Sequence, residues 1–305
     1  MIKVFGHYSP DTDSTGSPLI WAWYLNQIRN TPAEAVLLGQ CNTEAQFALK
    51  YWGFEQPAIM TDLPAGTPVV IVDTNNPAEL PKGINDADIQ AIIDHHKLVG
   101  GLETRGPIDI TIRPLACTAT IMYDLIGDDM AQAPRGIKGM MLSCILSDTL
   151  EFRSPTTTDA DRGLAHGLAK ELDIDISALA AEMFAAKSDV SAHSDAELLL
   201  MDAKKYSVGD KTFRISVLET TSPEQILSRK DGLIAAMPQV AAEDGADAVL
   251  LFVIDILREE ATLLVPGDLV RQVAEKSFGV SVSGDTVVLP GIMSRKKQII
   301  PALSL

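Results

Sequence analysis

The chain has 305 residues, 46% of them apolar and 22% charged, with 41 Asp+Glu against 25 Lys+Arg and a formal net charge of −16. That length exceeds one ordinary core and fits two domains, and the apolar share excludes disorder by composition. The negative charge argues against nucleic acid and anionic membrane as partners, and no apolar run reaches the roughly 20 residues that span a bilayer.

Taken in chain order, residues 2–5 are a short apolar run, and a helical pattern over 15–29 follows with Thr15 as N-cap. Residues 35–38 are a second apolar run. Thr43 and Gln46 form a capping-box pattern for a helix that Gly53 can end. The β-branched runs 69–72 and 89–93 read as buried strands, giving the βαβ rhythm of a doubly wound, mainly parallel sheet. Helices dominate from 117 to 187. The polar, non-periodic stretch SDVSAHSD reads as an interdomain linker, placing the domains at 1–188 and 196–305 with the linker at 189–195. Beyond it, 205–208 and 212–218 flank Gly209-Asp210 as a hairpin. A helix over 223–242 and strands over 248–256, 261–265, 280–282 and 286–289 complete a smaller, mixed α+β second domain.

The N-terminal residues carry no apolar core of a signal peptide, and Cys41, Cys117 and Cys144 lack paired spacing. They read as reduced core thiols of a cytoplasmic protein rather than a zinc site. Residues 1–189 hold 13 Lys+Arg against 25 Asp+Glu, whereas 190–305 hold 12 against 16. A cation-collecting first domain would show that skew, and so would one that is merely soluble.

Several clusters could carry chemistry. His7, Asp11 and Asp13 lie in Gly6-His7-Tyr8-Ser9-Pro10-Asp11-Thr12-Asp13-Ser14, between a strand and a helix, where open α/β sheets place ligands. An imidazole with carboxylates suits Mn²⁺, Co²⁺, Fe²⁺ or Zn²⁺ better than Ca²⁺, although an Asx turn with an N-cap uses the same residues. Asp73 follows a buried strand, as a cap would. Asp94-His95-His96 ends another, and a step from Ile-Ile to Asp-His-His is hard to ascribe to packing. Asp148 sits in an apolar helical pattern and needs a partner, which a salt bridge or a metal could supply. Ser294-Arg295-Lys296-Lys297-Gln298 offers cations to phosphate oxygens, or is a solvated loop. His166 and His193 receive no role. Together these groups are the inventory of a two-metal phosphoryl-transfer site, in which metals about 3.5–4 Å apart share a carboxylate and a hydroxide.

These motifs, with Cys117-Thr118-Ala119-Thr120, Ser147-Asp148 and Asp202-Ala203-Lys204, resemble the DHH phosphoesterase superfamily and, within it, the manganese-dependent family II inorganic pyrophosphatases. Asp-His-His alone indicates the superfamily; the Ser-Arg-Lys-Lys-Gln motif points to pyrophosphatase. The resemblance implies two Mn²⁺ (or Co²⁺) per subunit, with Mg²⁺ arriving on pyrophosphate. His7, Asp11 and Asp73 would hold one metal and Asp13, Asp73, His95 and Asp148 the other, Asp73 bridging. His96, Lys204, Arg295 and Lys296 would bind and activate the phosphoryl groups, Asp94 would orient the histidines, and a metal-bridged hydroxide would attack. It also implies a homodimer through an edge strand and closure of the second domain over substrate. One position departs from the pattern: the family usually has His after the bridging Asp, and here it is Thr74.

Two other functions use the same residues: hydrolysis of polyphosphate or short oligonucleotides by the same chemistry, and a phosphate-binding module without turnover. The acidic surface and the lack of a basic, aromatic groove weigh against the oligonucleotide.

Overall fold

Apolar, β-branched segments of the first 112 residues line up side by side as parallel strands, the middle of the sheet buried and its edges half-buried or exposed. They are β1 (Ile2–Phe5), β2 (Ala33–Ala35), β3 (Pro68–Val72), β4 (Asp88–Asp94) and β5 (Asp109–Ile112), all parallel, in the order β2-β1-β3-β4-β5. The computed structural model describes every residue except Asp189, Ala192 and Asp202, and gives Lys296 and Lys297 by backbone alone. It divides into two units, Met1–Lys187 and Ser188–Leu305.

In the first unit the helices are α1 (Thr12–Gln27), α2 (Thr43–Trp52), α3 (Thr118–Ile126), α4 (Arg135–Thr149), α5 (Asp159–Leu172) and α6 (Ile176–Lys187). Val4, Val70, Val72 and Ile93 of the sheet pack with Ile20, Ile121, Met141, Ile145 and Leu168 of these helices. Phe5, Val69, Ile71, Ile89 and Ile92 form a second cluster with Leu80 and Ile84 from short 3₁₀ turns and their loops. Helix α1 starts three residues before the expected position. Asp11, with extended backbone, caps it by accepting the Ser14 N–H at 2.9 Å, and Thr15 is buried within the first turn. Likewise Asn42, not Thr43, caps α2, accepting the Ala45 N–H, while Gly53 closes the helix in the left-handed conformation. Gly16 lets α1 approach α4 closely: a Cβ there would stand 2.4 Å from Cys144 Sγ. Strand β5 was not visible in the sequence, because its residues are exposed or half-buried and short. All three cysteines are free and buried.

The second unit opens with α7 (Asp195–Leu200), capped by Ser194 in a capping box with Glu197. The described residues of 190–195 are tied into this unit, since Arg229 donates to Val190 O at 2.8 Å and His193 O at 2.7 Å and pairs with Asp195 at 2.6 Å. Strands β6 (Ala203–Val208) and β7 (Lys211–Thr220) form the expected hairpin. Where one helix was expected there are two, α8 (Pro223–Leu227) and α9 (Lys230–Asp244), because Arg229 leaves helical geometry as its side chain reaches back to 190–195. Strands β8 (Ala248–Asp255) and β9 (Glu260–Leu264), helix α10 (Asp268–Phe278), absent from the sequence reading, and β10 (Thr286–Pro290) complete a mixed sheet in the order β10-β9-β8-β7-β6. Residues 280–282 are not a strand; the Val282 N–H bonds the Glu275 carboxylate instead. No helix among the described residues is long and apolar enough to cross a membrane.

Candidate metal centre

The chain leaves β1 towards β2 and returns to β3 on the other side of β1, so the carboxyl ends of β1 and β3 lie at a switch in strand order, where open sheets form crevices. His7 follows β1, Asp73 follows β3, and Asp94 ends β4. The turn after β1 is tight. The His7 N–H donates to Ser14 Oγ at 2.9 Å, and a Cβ on Gly6 would collide with that hydroxyl at 1.9 Å, so glycine is required there.

This turn brings His7 Nε2 to 3.7 Å from Asp11 Oδ2 and 3.5 Å from Asp73 Oδ2. From β4, His95 Nε2 reaches Asp73 Oδ1 at 3.4 Å, and His96 Nδ1 lies 3.9 Å from the same oxygen. Asp73 is thus flanked by histidines on both carboxylate oxygens. Its φ of 56° is left-handed, a conformation that disfavours non-glycine residues, and its N–H is held by Ile93 O at 2.9 Å. His95 Nδ1 stands 3.1 Å from Leu115 O, so an Nδ1–H donated there leaves Nε2 with a free lone pair towards Asp73. Asp94, fully buried, accepts the His96 N–H at 3.0 Å, His96 Nδ1 at 2.9 Å and the Asn75 side chain.

Asp13 accepts the Thr118 N–H at 2.7 Å and the Ser17 hydroxyl at 2.8 Å. Asp148, on α4, joins Asp13 and Cys117 in a group whose ligand atoms lie within 4.8 Å of one another. The same holds for His7, Asp11 and Asp73, and for Asp73, His95 and His96. Asp148 Oδ2 is buried with no hydrogen-bond partner among the described residues.

The electrostatics follow from this crowding. Burial, and the charges of Asp13, Asp11, Asp148 and Asp94, push the Asp73 carboxyl well above the ordinary range. Burial and the charges of Asp13 and Asp11 do the same to Asp148. Burial opposes ionisation of Asp94, but the hydrogen bonds from His96 and Asn75 hold it below the usual value. The hydrogen bond to Asp94 raises the His96 imidazole, against burial. For His7, burial opposes the charge, yet Asp11 and Glu79 leave it raised. A buried cluster of like charges with an unpartnered carboxylate oxygen, edged by imidazole nitrogens, is chemically matched to divalent cations that take mixed N and O ligands.

The structure therefore brings His7, Asp11, Asp13, Asp73, Asp94, His95, His96 and Asp148 together. Lys204, exposed on β6, and Arg295 belong to the second unit; Asp202 and the Lys296 side chain lie outside the described residues. Arg295 opens a π-helical turn over Arg295–Ile299 that Ile299, fully buried, anchors to the Phe213–Phe252 core. Gln298 folds back on the preceding loop, its Oε1 accepting the Met293 and Ser294 N–H groups at 2.8 and 2.9 Å and its amide donating to Gly291 O at 2.6 Å. Sequence reasoning gave no role to Thr118, whose hydroxyl donates to Asp73 at 3.1 Å while its N–H holds Asp13. It also passed over Asn75, which ties Asp94 to the backbone of Lys97 and Val99. A Thr opening a helix and an Asn after a strand are the only local signals, and both are ordinary turn chemistry.

A family model described as the DHH family, N-terminal domain, matches residues 1–147, and one described as the DHHA2 domain matches 181–305. A probable manganese-dependent inorganic pyrophosphatase of Deinococcus radiodurans is 41% identical over 309 aligned residues, covering 99% of this chain and 98% of the relative. Another, of Bacillus velezensis, is 36% identical and covers 99% and 97%. Among solved structures, one from Methanococcus jannaschii assigned to the family II inorganic pyrophosphatases aligns with a TM-score of 0.66 and 32% identity over 99% of this chain and 98% of that one. An exopolyphosphatase-related protein of Bacteroides fragilis, at 13% identity and a TM-score of 0.51 over 98% and 89%, shares the fold alone.

Proposed function

The chain belongs to the family of manganese-dependent inorganic pyrophosphatases, and from that premise we propose what its site does: it hydrolyses the phosphoanhydride bond of inorganic pyrophosphate to two phosphates. The observation that carries this reading at the level of residues is the Asp73 carboxylate, buried between His7 on one oxygen and His95 on the other, with four further carboxylates crowding it.

We assign His7, Asp11 and Asp73 to one Mn²⁺ and Asp13, Asp73, His95 and Asp148 to a second, with Co²⁺ an equivalent occupant and Mg²⁺ arriving on the substrate. When bound, the metals would lower the pKa of a coordinated water and offset charge on the phosphoryl oxygens. The chain's own groups do the rest. Asp94 fixes the His96 ring by its 2.9 Å bond to Nδ1, leaving Nε2 for a phosphate oxygen. Lys204, Arg295 and Lys296 are assigned to the remaining phosphate oxygens, Arg as a planar fork and Lys as point charges. Strand β5 is an edge of the first sheet with Ile110 largely exposed, which supports a homodimer formed there. The buried, unpaired thiols support a cytoplasmic setting.

The test is phosphate release by the purified protein with Mn²⁺, compared across pyrophosphate, tripolyphosphate and a dinucleotide. Pyrophosphate should be the preferred substrate. Folded, Mn²⁺-loaded protein that leaves pyrophosphate intact overturns the reading, and faster tripolyphosphate cleavage replaces it with a polyphosphatase.

A further inference from the structure

Glu44 is a buried carboxylate beside the candidate centre that the assignments above do not use. It lies in the first turn of α2, its side chain has no exposure, and side chains from three other helices converge on one of its oxygens. Oε2 accepts the Thr12 hydroxyl of α1 at 3.0 Å and the Ser147 hydroxyl of α4 at 2.7 Å, and faces the Lys187 ammonium of α6 at 3.2 Å. Oε1 is buried with no hydrogen-bond partner among the described residues.

The places these donors occupy matter more than their number. Thr12 stands between Asp11 and Asp13, and Ser147 directly precedes Asp148. The two hydroxyls on Glu44 are therefore each one residue from a carboxylate of the candidate centre, one on the helix that starts it and one on the helix that closes it. Lys187 is the last residue of the first unit. A buried carboxylate at this point is expensive for stability alone, because an apolar residue of similar volume would pack the junction of α1, α2 and α4 without desolvating a charge. What an apolar residue could not do is hold two hydroxyls on different helices at one fixed point.

We propose that Glu44 is a positioning residue for the cations: its carboxylate sets the separation between the Asp11–Asp13 turn and Asp148, and Lys187 supplies the counter-charge from the end of the first unit. Removing hydrogen-bond partners one step behind metal ligands typically weakens metal binding about 10–100-fold.

The inference rests on the reading that Asp11, Asp13 and Asp148 hold Mn²⁺, and the experiment separates the two. Metal-free wild type, Glu44→Gln, Lys187→Met and Lys187→Arg are titrated with Mn²⁺, free ion being counted by electron paramagnetic resonance and folding checked by circular dichroism. Glu44→Gln and Lys187→Met should each weaken Mn²⁺ binding about 10-fold or more, and Lys187→Arg should restore it. Lys187 is partly exposed, so its variants remain informative if Glu44→Gln fails to fold. Variants that lose thermal stability but bind Mn²⁺ as the wild type does would overturn the positioning role and leave the metal reading intact. A wild type that binds no Mn²⁺ would instead overturn the metal reading and this inference with it.

Discussion

The Thr74 hydroxyl donates to the Glu79 carboxylate over 2.8 Å, and Thr74 Oγ1 in turn accepts the Asn76 N–H at 3.1 Å. Thr74 is 1% exposed, at the position where the resemblance leads one to look for His. Its contacts go to the turn at Pro77–Glu79, and the Glu79 carboxylate that it holds also acts on the His7 charge. Asp73 is held independently, by its own N–H on Ile93 O and by Thr118. Thr74→Val should therefore lower stability by about 1–2 kcal/mol, the net worth of hydrogen bonds of this kind, measured by urea unfolding of metal-free protein. Mn²⁺ stoichiometry should stay as in the wild type. Loss of a Mn²⁺ in this variant would show that Thr74 does more than brace the turn.

The raised carboxyls of Asp73 and Asp148 fix the sign of a pH effect. Both have folded values above the unfolded one of about 3.9, so the stability they contribute is fully present below that pH and is lost as pH rises through their folded values. Metal-free protein thus carries growing carboxylate repulsion towards neutral pH, and Mn²⁺ relieves it by replacing the protons. The rise in Tm on adding saturating Mn²⁺ should be larger at pH 8 than at pH 5, and uptake of Mn²⁺ at neutral pH should release protons. Equal Tm increments at the two pH values, by calorimetry, would contradict this.

The buried sheet strands and the candidate ligand positions were legible because they are local. A buried β-branched run followed at once by Asp or Asp-His-His states both the strand and its polar end, and β1, β3 and β4 with His7, Asp73 and His95 followed from that. The start of α1 was not legible, because Asp11 serves as cap and as candidate ligand, and Thr15 offered an equally good cap. Strand β5 escaped because an edge strand with exposed residues lacks a buried pattern. Thr118, Asn75 and Glu44 could not be found because their partners are 45, 19 and 103 residues away, on Asp73, Asp94 and Ser147. Hydrogen bonds across that separation leave no period in a sequence.

Asp148 gives a variant that separates ligation from folding. Its Oδ2 is buried without a hydrogen-bond partner among the described residues, and like charges surround it. Asp148→Asn keeps the shape and removes the charge, so metal-free protein should be at least as stable as the wild type. The same change removes a candidate ligand, and if Asp148 holds metal, hydrolysis of pyrophosphate should fall by about 10–100-fold. Unfolding curves without metal and phosphate release with Mn²⁺ together decide it. Full activity in this variant, or in His95→Gln, would remove these residues from the centre.

Gln298 tests the second unit by itself. One side chain satisfies two backbone N–H groups, at Met293 and Ser294, and one carbonyl, at Gly291, so it fixes the loop that presents Arg295. Alanine would remove these three hydrogen bonds and loosen the loop, while the candidate ligands of the first unit keep their contacts. If Arg295 binds a phosphoryl group, its misplacement by an ångström or so should lower kcat/KM for pyrophosphate roughly 100-fold. Mn²⁺ affinity should not change. Arg295→Lys should resemble it, since a point charge cannot reproduce the planar fork. Steady-state kinetics alongside a Mn²⁺ titration read both quantities, and unchanged kcat/KM in Gln298→Ala and Arg295→Lys would place phosphate recognition elsewhere in the chain.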